Sequence, residues 1–305
     1  ESVPSAGTSA VTNVNDAPTG SVTIGDTTPA QGQTLTASNT LADADGLGTI
    51  GYQWQRGGVD IVGATGTTYT TTQADVGQIL RVVASYTDGQ GTLESVPSAG
   101  TSAVTNVNDA PSGSVTIDDT TPAQGQTLTA SNTLADADGL GAITYQWQRG
   151  GVDIVGATGN TYTTTQADVG QILRVVASYT DGQGTLESVP SAGTSAVTNV
   201  NDAPSGSVTI DDTTPAQGQT LTASNTLADA DGLGTISYQW QRGGVDIVGA
   251  TGTTYTTTQA DVGQILRVVA SYTDGQGTLE SVPSAGTSAV TNVNDAPTGS
   301  VTIGD

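Results

Sequence analysis

One unit of 93 residues returns almost unchanged along the chain. Its segment ESVPSAGTSAVTNVNDAP begins at Glu1, Glu94, Glu187 and Glu280. A unit of this length can bury a modest core of its own, whereas shorter solenoid repeats need their neighbours. We therefore expect a string of separate domains. The period divides the chain into a tail of a preceding unit, three complete units and the first strand of a following unit, at 1–16, 17–109, 110–202, 203–295 and 296–305.

The charge balance of the chain excludes some partners. The net charge is −23, and the 29 acidic residues are opposed by six cations, all of them arginine. Binding to nucleic acid depends on cations that neutralise phosphates, so we expect no nucleic-acid partner. The absence of cysteine and lysine removes disulfides and lysine-to-asparagine cross-links as reinforcement. Metal ions are the reinforcement that remains.

Alternation of apolar and polar residues predicts short strands. In the first unit, Ile50, Tyr52 and Trp54 alternate with polar residues, and a Gly-Gly hairpin turn follows them. The segment 78–86 alternates in the same way. With these two, about seven short strands and no helical period predict an all-β chain, a tandem array of β-sandwich domains. The predicted strands are 20–24, 33–37, 49–55, the partner strand after the hairpin turn, 67–70, 78–86 and 101–107.

Several aspartates lie in loops that a sandwich brings to one end. Asp43 and Asp45 belong to the loop LADADGLG, and Asp88 follows the strand 78–86. Asn15 and Asp16 belong to NVNDAP, through which the chain enters the domain. Packed carboxylates repel one another unless a cation lies among them, and hard oxygen ligands of this kind suit calcium. We therefore expect calcium at the joint that precedes each domain.

Each of these motifs also has a plainer explanation. Asp and Gly are common in turns, because Asp bonds its own backbone and Gly tolerates positive φ. The loop is not an EF-hand, since Gly46 falls at its fourth position and Trp54 at its twelfth. Zinc is disfavoured because the chain has neither His nor Cys. At the opposite end of the domain, Asp26 and Asp75 either supply ligands to the following joint or only cap their turns.

The unit resembles immunoglobulin-like and cadherin repeats. Trp54 on the third strand and the Asp75-Val-Gly turn before the sixth are similar to the immunoglobulin pattern, without its cysteine pair. TNVNDAP, ADADGLG and SYTDGQGTLES resemble the cadherin linker and two acidic loops, although the linker is one residue shorter and begins with Asn13. The resemblance implies four aspartate ligands for calcium at each of three joints, namely Asp16, Asp43, Asp45 and Asp88; Asp109, Asp136, Asp138 and Asp181; and Asp202, Asp229, Asp231 and Asp274.

Near-identical, acidic, lysine-free sandwich repeats with NDAP joints also resemble the extender regions of giant RTX-type surface adhesins of bacteria. This resemblance implies an extracellular chain that is exported by type I secretion and folds in calcium. It also implies a monomeric rod that holds a terminal binding domain away from the cell. Its partners would be the neighbouring repeats, with no direct membrane contact. A self-associating filament or biofilm-matrix protein and an array of carbohydrate-binding modules are the alternatives.

Catalysis is not expected of this chain. It has no His, Cys or Lys to serve as base or nucleophile, and Ser and Thr have no such group to activate them. A pair of carboxylates can hydrolyse glycosides, but Asp43 and Asp45 lie on a loop of small residues without an aromatic platform for a sugar.

Overall fold

The computed structural model describes residues 1–301, and each complete unit in it contains seven strands and one turn of 3₁₀ helix. The strand predicted for 296–305 lies outside the described residues from position 302 onward. In the first unit the strands are β1 (Val22–Ile24), β2 (Thr34–Asn39), β3 (Gly51–Arg56), β4 (Val59–Asp60), β5 (Thr68–Thr70), β6 (Leu80–Thr87) and β7 (Leu93–Pro97).

The same strands recur in the two following units. In the second they are β8 (Val115–Ile117), β9 (Thr127–Asn132), β10 (Thr144–Arg149), β11 (Val152–Asp153), β12 (Thr161–Thr163), β13 (Leu173–Thr180) and β14 (Leu186–Pro190). In the third they are β15 (Val208–Ile210), β16 (Thr220–Asn225), β17 (Ser237–Arg242), β18 (Val245–Asp246), β19 (Thr254–Thr256), β20 (Leu266–Thr273) and β21 (Leu279–Pro283). The 3₁₀ turns are Gln73–Asp75, Gln166–Asp168 and Gln259–Asp261.

Two antiparallel sheets form the first unit. One has the order β1-β2-β5, and the other has the order β4-β3-β6-β7. Within the larger sheet Trp54 pairs with Val82, and on β7 Glu94 pairs with Tyr86. The third unit repeats both sheets as β15-β16-β19 and β18-β17-β20-β21. The prediction of tandem immunoglobulin-like β-sandwiches is therefore confirmed.

The core of each sandwich surrounds one tryptophan. Trp54 is fully buried and packs against Tyr69, with their ring centroids 5.7 Å apart. Its indole Nε1 donates to the carbonyl oxygen of Gly66 at 2.9 Å, so its polar atom is satisfied. Leu80 and Val82 point inward from β6 as the alternation predicted. Burial of these apolar side chains is the main force that holds the two sheets together.

The segment 101–107 differs from its prediction. It forms no ladder strand, and its Ala103, Val104 and Thr105 make single bridges to three different residues. The reason is that its backbone bonds alternate between two neighbours: Thr105 N–H donates to Pro29, whereas Val104 N–H donates to Gln78. A segment that alternates its partners in this way cannot build a continuous ladder with either.

Backbone contacts divide the residues into two compact groups, and these groups do not coincide with the 93-residue repeats. The first contains 1–115, 132–144 and 176–190, and the second contains 116–131, 145–175 and the chain from 191 onward. The domain limits expected from the 93-residue period therefore stay predictions. Within residues 1–301, no helix has the length and apolar character needed to span a membrane.

Candidate metal centre

The loop LADADGLG folds back on itself and lies against the end of β6. Asp43 Oδ1 accepts the backbone N–H of Asp45 at 2.8 Å, which closes an Asx turn. Gly48 then passes so close to β6 that a Cβ there would lie 2.0 Å from the carbonyl oxygen of Thr87. Only glycine permits this approach, and it brings the loop next to Asp88.

The loop after β6 presents one buried carboxylate oxygen. Asp88 Oδ1 accepts the backbone N–H groups of Gln90 at 2.9 Å and Thr92 at 2.7 Å. Burial opposes ionisation of Asp88, but these backbone donors outweigh it and hold the pKa of the carboxyl below its usual value. Asp88 is therefore a fixed, ionised carboxylate whose second oxygen, Oδ2, is buried without a hydrogen-bond partner.

Three acidic side chains meet in the second unit and again in the third. We call each group an acidic trio: an oxygen of each member lies within 4.8 Å of an oxygen of the others. The trios consist of Asp136, Asp181 and Glu187, and of Asp229, Asp274 and Glu280. Three carboxylates at this distance repel one another strongly unless a cation lies among them.

Buried oxygens without a hydrogen-bond partner concentrate at the same end of the domain. Among residues 1–301, nine buried side-chain atoms lack such a partner, and seven of them belong to the linkers and acidic loops. Asp138, with 4% of its surface exposed, and Asp181, with 6%, are more than nine-tenths buried. The seven atoms are Asp88 Oδ2, Asn106 Oδ1, Asp138 Oδ1, Asp181 Oδ2, Asn199 Oδ1, Asp231 Oδ1 and Asp274 Oδ2. An unsatisfied buried acceptor is costly, and all seven atoms are acceptors, two of which belong to trio members, Asp181 and Asp274.

The structure divides the predicted site residues of the second and third units into two groups. Asp136 and Asp181 enter the trio, as do their equivalents Asp229 and Asp274 in the third unit. The linker aspartate and the second aspartate of the loop instead contact each other through the backbone. Asp109 N–H donates to Asp138 Oδ2 at 2.7 Å, and the same bond joins Asp202 to Asp231 at 2.7 Å and Asp16 to Asp45 at 2.8 Å.

A buried tyrosine orients one member of each trio. The hydroxyl of Tyr179 donates to Asp136 Oδ2 at 2.6 Å, and in the first unit Tyr86 donates to Asp43 at 2.6 Å. Burial and the neighbouring carboxylate raise the pKa of Tyr179 far above its usual value, so the hydroxyl stays a donor. Together with the backbone N–H of Asp138, which donates to Oδ1 at 2.9 Å, the bond holds both oxygens of Asp136 in place.

The glutamate of the trio was missed by the sequence analysis. Glu187 lies opposite Tyr179 on β14, and Asn108 of the linker donates to its Oε1 at 2.8 Å. Glu280 receives the same bond from Asn201, and Glu94 receives it from Asn15. One signal was present: each unit contains a single glutamate in a chain whose other acids are aspartates.

The two aspartates left open at the opposite end serve their own domain. Asp75 is fully buried, where its Oδ1 accepts Arg56 Nε at 2.7 Å and its Oδ2 accepts Tyr69 and Thr72. Asp26 accepts the backbone N–H of Thr28 at 2.8 Å and closes a local turn. Asp75 therefore caps its turn and pairs with arginine, and neither carboxylate joins the acidic trio that follows.

Comparison with known proteins gives similarities of fold. No known family matches the chain as a sequence profile, and no curated protein matches it. The immunoglobulin domains 1–5 of Sidekick-1 share 15% identity over 92% of this chain at a TM-score of 0.31, and the chain spans 60% of that fragment.

Two further solved structures come from adhesins. A calcium-stabilised adhesin that helps an Antarctic bacterium reach out and bind ice is 16% identical over 93% of this chain and 77% of its own, at a TM-score of 0.29. A tetra-tandem repeat from the extending region of a large adhesion protein is 20% identical over 90% of this chain and 76% of its own, at a TM-score of 0.35. With TM-scores below 0.5, these likenesses carry no argument about ligand or function.

Proposed function

We propose that this chain is a non-catalytic spacer in a bacterial cell-surface adhesin, and that calcium binds at the joints between its repeats. The observation that carries the proposal is that each acidic trio contains an aspartate, Asp181 or Asp274, with a buried oxygen that has no hydrogen-bond partner. Carboxylates placed this way would otherwise repel one another with part of their hydrogen-bonding capacity unused.

The donor set favours calcium among the common ions. Every candidate ligand is a carboxylate or an amide oxygen, and calcium takes six to eight such oxygens in irregular geometry. Magnesium requires near-octahedral geometry, and zinc sites are usually built with His or Cys, which the chain does not contain. At the joint before the second unit, the residues that would hold calcium are Asp136, Asp181 and Glu187, and the backbone N–H of Asp138 donates to Asp136 Oδ1 at 2.9 Å.

The joint residues connect the linker to the loops of the domain that follows. Asp138 accepts the backbone N–H of Asp109, and Glu187 accepts the side-chain amide of Asn108. A bound cation would satisfy the unpartnered oxygens of these loops and neutralise their charge. Any loss of freedom in the loops then becomes a loss of freedom in the linker. Stiffened joints in series would give a spacer its reach.

The proposed setting is the outside of a bacterium after type I secretion. Extracellular calcium modules bind with dissociation constants on the order of 10⁻⁴ to 10⁻³ M. Cytosolic calcium is far lower, so the acidic trios would keep their repulsion until export. The proposal therefore places the least stable form of the folded chain before secretion and the most stable form after it.

Calorimetric titration of the 305-residue chain with calcium tests the proposed site. We expect binding in the range above, and a fall in affinity of about tenfold or more in the variant with Glu187→Gln and Glu280→Gln. The matched control is Asp153→Asn with Asp246→Asn, which removes the same charge from exposed positions on β11 and β18. Unchanged affinity in the glutamine variant, or an equal fall in the control, would contradict the assignment.

Small-angle scattering and light scattering test the spacer role. An extended particle in calcium that slackens when a chelator is added, and that stays monomeric throughout, is the expected result. Lateral bundles in calcium would favour a self-associating filament or matrix protein. Retention of single units on a glycan array would favour a carbohydrate-binding module. Identical scattering profiles in calcium and chelator would remove the spacer proposal.

A further inference from the structure

One glutamine in the turn after the first strand of each unit holds the linker that ends that unit. Gln31 Nε2 donates to Asp109 Oδ2 at 2.6 Å, and Gln31 Oε1 accepts the backbone N–H of Val107 at 3.3 Å. We propose that Gln31, Gln124 and Gln217 are clasp residues, which position the linker aspartate independently of any metal ion. None of these glutamines was among the residues that the sequence analysis selected.

The same pair of bonds recurs at each later copy. Gln124 donates to Asp202 at 2.7 Å and accepts from Val200 at 3.3 Å. Gln217 donates to Asp295 Oδ2 at 3.1 Å, and accepts from Val293 at 3.4 Å. The donor and acceptor assignment is the same at all three copies, so the clasp is a feature of the repeat.

The chemistry of the clasp requires glutamine. Its amide supplies a donor for the carboxylate and an acceptor for the backbone N–H at the same time. Glutamate would place a second negative charge against Asp109, and alanine would leave both partners without a bond. The backbone around the clasp is already fixed, because Gln31 N–H donates to Thr105 O and Thr105 N–H donates to Pro29 O, both at 2.9 Å.

The clasp links the turn of one unit to the acidic loop of the next. Asp109 is held through its side chain by Gln31, while its backbone N–H donates to Asp138. A single residue therefore receives its position from the preceding unit and passes it to the loop that carries the acidic trio. The linker therefore stays ordered in the metal-free protein, and calcium would bind at a joint in which the position of the linker is already fixed.

Hydrogen exchange measured by mass spectrometry in a chelator tests the clasp without metal. All three glutamines are changed to alanine in the full chain, so that peptides of identical sequence report the same change. Exchange in the linker peptides that contain Val107 and Val200 is expected to rise by about tenfold or more, while peptides from β3 and β6 stay unchanged. The matched control changes Gln78, Gln171 and Gln264 to alanine, since these side chains are exposed beside the sixth strand of each unit.

Exchanging the amide and carboxylate groups between the clasp residue and the linker aspartate separates a positioning role of the glutamine from a general loss of stability. Gln→Glu at the three clasp positions is expected to raise linker exchange at neutral pH at least as much as alanine does. Adding Asp109→Asn, Asp202→Asn and Asp295→Asn restores a donor opposite an acceptor, and linker exchange is expected to return to that of the unmodified chain. Linker exchange that is unchanged by alanine, or a swap that gives no recovery, would overturn the proposal.

Calcium titration of the alanine variant adds a measurement of affinity, and its interpretation rests on the proposed function. The affinity is expected to fall about three- to tenfold, because the linker is no longer arranged before binding. If the unmodified chain shows no calcium binding, the proposed function fails while the exchange experiment still decides the clasp.

Discussion

Asp75 shows how a single buried carboxylate ties a turn to a strand. Burial opposes its ionisation, yet Arg56, the backbone of Thr72 and Tyr69 all donate to it, and its pKa lies below the usual value. Arg56 on β3 is partly exposed, so its charge keeps some hydration while Asp75 loses all of its own. The Arg56–Asp75 pair therefore stabilises the ionised carboxylate of Asp75 in the folded state.

We predict that Asp75→Asn lowers the free energy of unfolding of the first unit by about 2–4 kcal/mol at pH 7, since it leaves Arg56 without its charged partner. The folded-state pKa is lowered, so the contribution is complete above the unfolded pKa of about 3.9 and is lost as pH falls through the folded pKa. The gap between the variant and the unmodified chain should therefore narrow below about pH 4. Urea unfolding between pH 7 and pH 2 measures this gap.

The control for this residue is Asp60→Asn. Asp60 accepts a bond from Gln55 at the exposed edge of the sheet, so its loss should change the unfolding free energy little. A gap for Asp75→Asn that stays constant across the whole pH range would show that the carboxylate charge is not what stabilises the turn.

At the scale of single residues, the sequence identified the aspartates of the two loops but not the glutamate beside them. Asp43 and Asp88 are recognisable because turns favour Asp next to Gly. Glu94 lies on a strand, where a charged residue looks like ordinary surface. Only the pairing of β7 with β6, which places Glu94 opposite Tyr86, brings it to the loop end.

The acidic loop and the end of β6 form one packed element. Gly48 lies where a Cβ would overlap the carbonyl oxygen of Thr87, and Gly89 lies where a Cβ would come within 2.5 Å of Asp45 O. The Gly89 N–H also donates to Asp45 O at 3.0 Å. The two glycines let the loops interlock through their backbones, and this fixes the carboxylates relative to each other.

We predict that Gly48→Ala lowers the free energy of unfolding of the first unit by about 2 kcal/mol or more, because neither backbone can retreat without breaking the core. Differential scanning calorimetry should show that the part of the unfolding enthalpy contributed by one unit shifts to lower temperature. The expected loss at this position comes from overlap, since the φ angle of Gly48 is not in the positive region.

The matched control is Gly51→Ala, three residues along the same chain. A Cβ at Gly51 meets only Ser85 O at 3.8 Å, and the second and third units already carry Thr144 and Ser237 at this place. The control should unfold at the same temperature as the unmodified chain or slightly above it. Equal effects of the two substitutions would contradict the packing of the loop against β6.

The strand pattern was largely predictable at the element scale, except at the seventh strand: the sequence predicted 101–107, whereas the structure has β7 at Leu93–Pro97. Alternation identified β3 and β6 because half of each strand faces the core. The segment 101–107 alternates too, but its neighbours on the two sides are a turn and a loop rather than strands. Periodicity reports which residues face inward and does not report whether a partner strand is available.

The whole molecule carries its net charge of −23 on a chain with two arginines in each unit. Repulsion among so many carboxylates opposes compact packing at low ionic strength. General screening by salt relieves part of this repulsion, and specific binding by calcium would relieve the part that is concentrated at the trios. The two effects can be separated by comparing salts.

We predict that millimolar calcium raises the melting temperature of the chain by roughly 6–11 °C over a chelated sample. At a free concentration about tenfold above the dissociation constant, one site stabilises by roughly 1.4 kcal/mol, and about 4–8 °C per kcal/mol is typical of a domain of this size. Magnesium chloride and sodium chloride at matched ionic strength are the controls and should give smaller shifts. Equal shifts with all three salts would show that screening alone stabilises the chain.

The sequence by itself determined the repeat, the sandwich class, the buried tryptophan and the loops in which acidic residues gather. Each of these follows from local rules of period, alternation and turn chemistry, which act between residues close in the chain. Only the tertiary structure decided which oxygens meet. Glu187 joins Asp136 across 51 positions of sequence, and Gln31 reaches Asp109 across 78. Such contacts depend on how strands pair and where turns pack, and no local pattern encodes them.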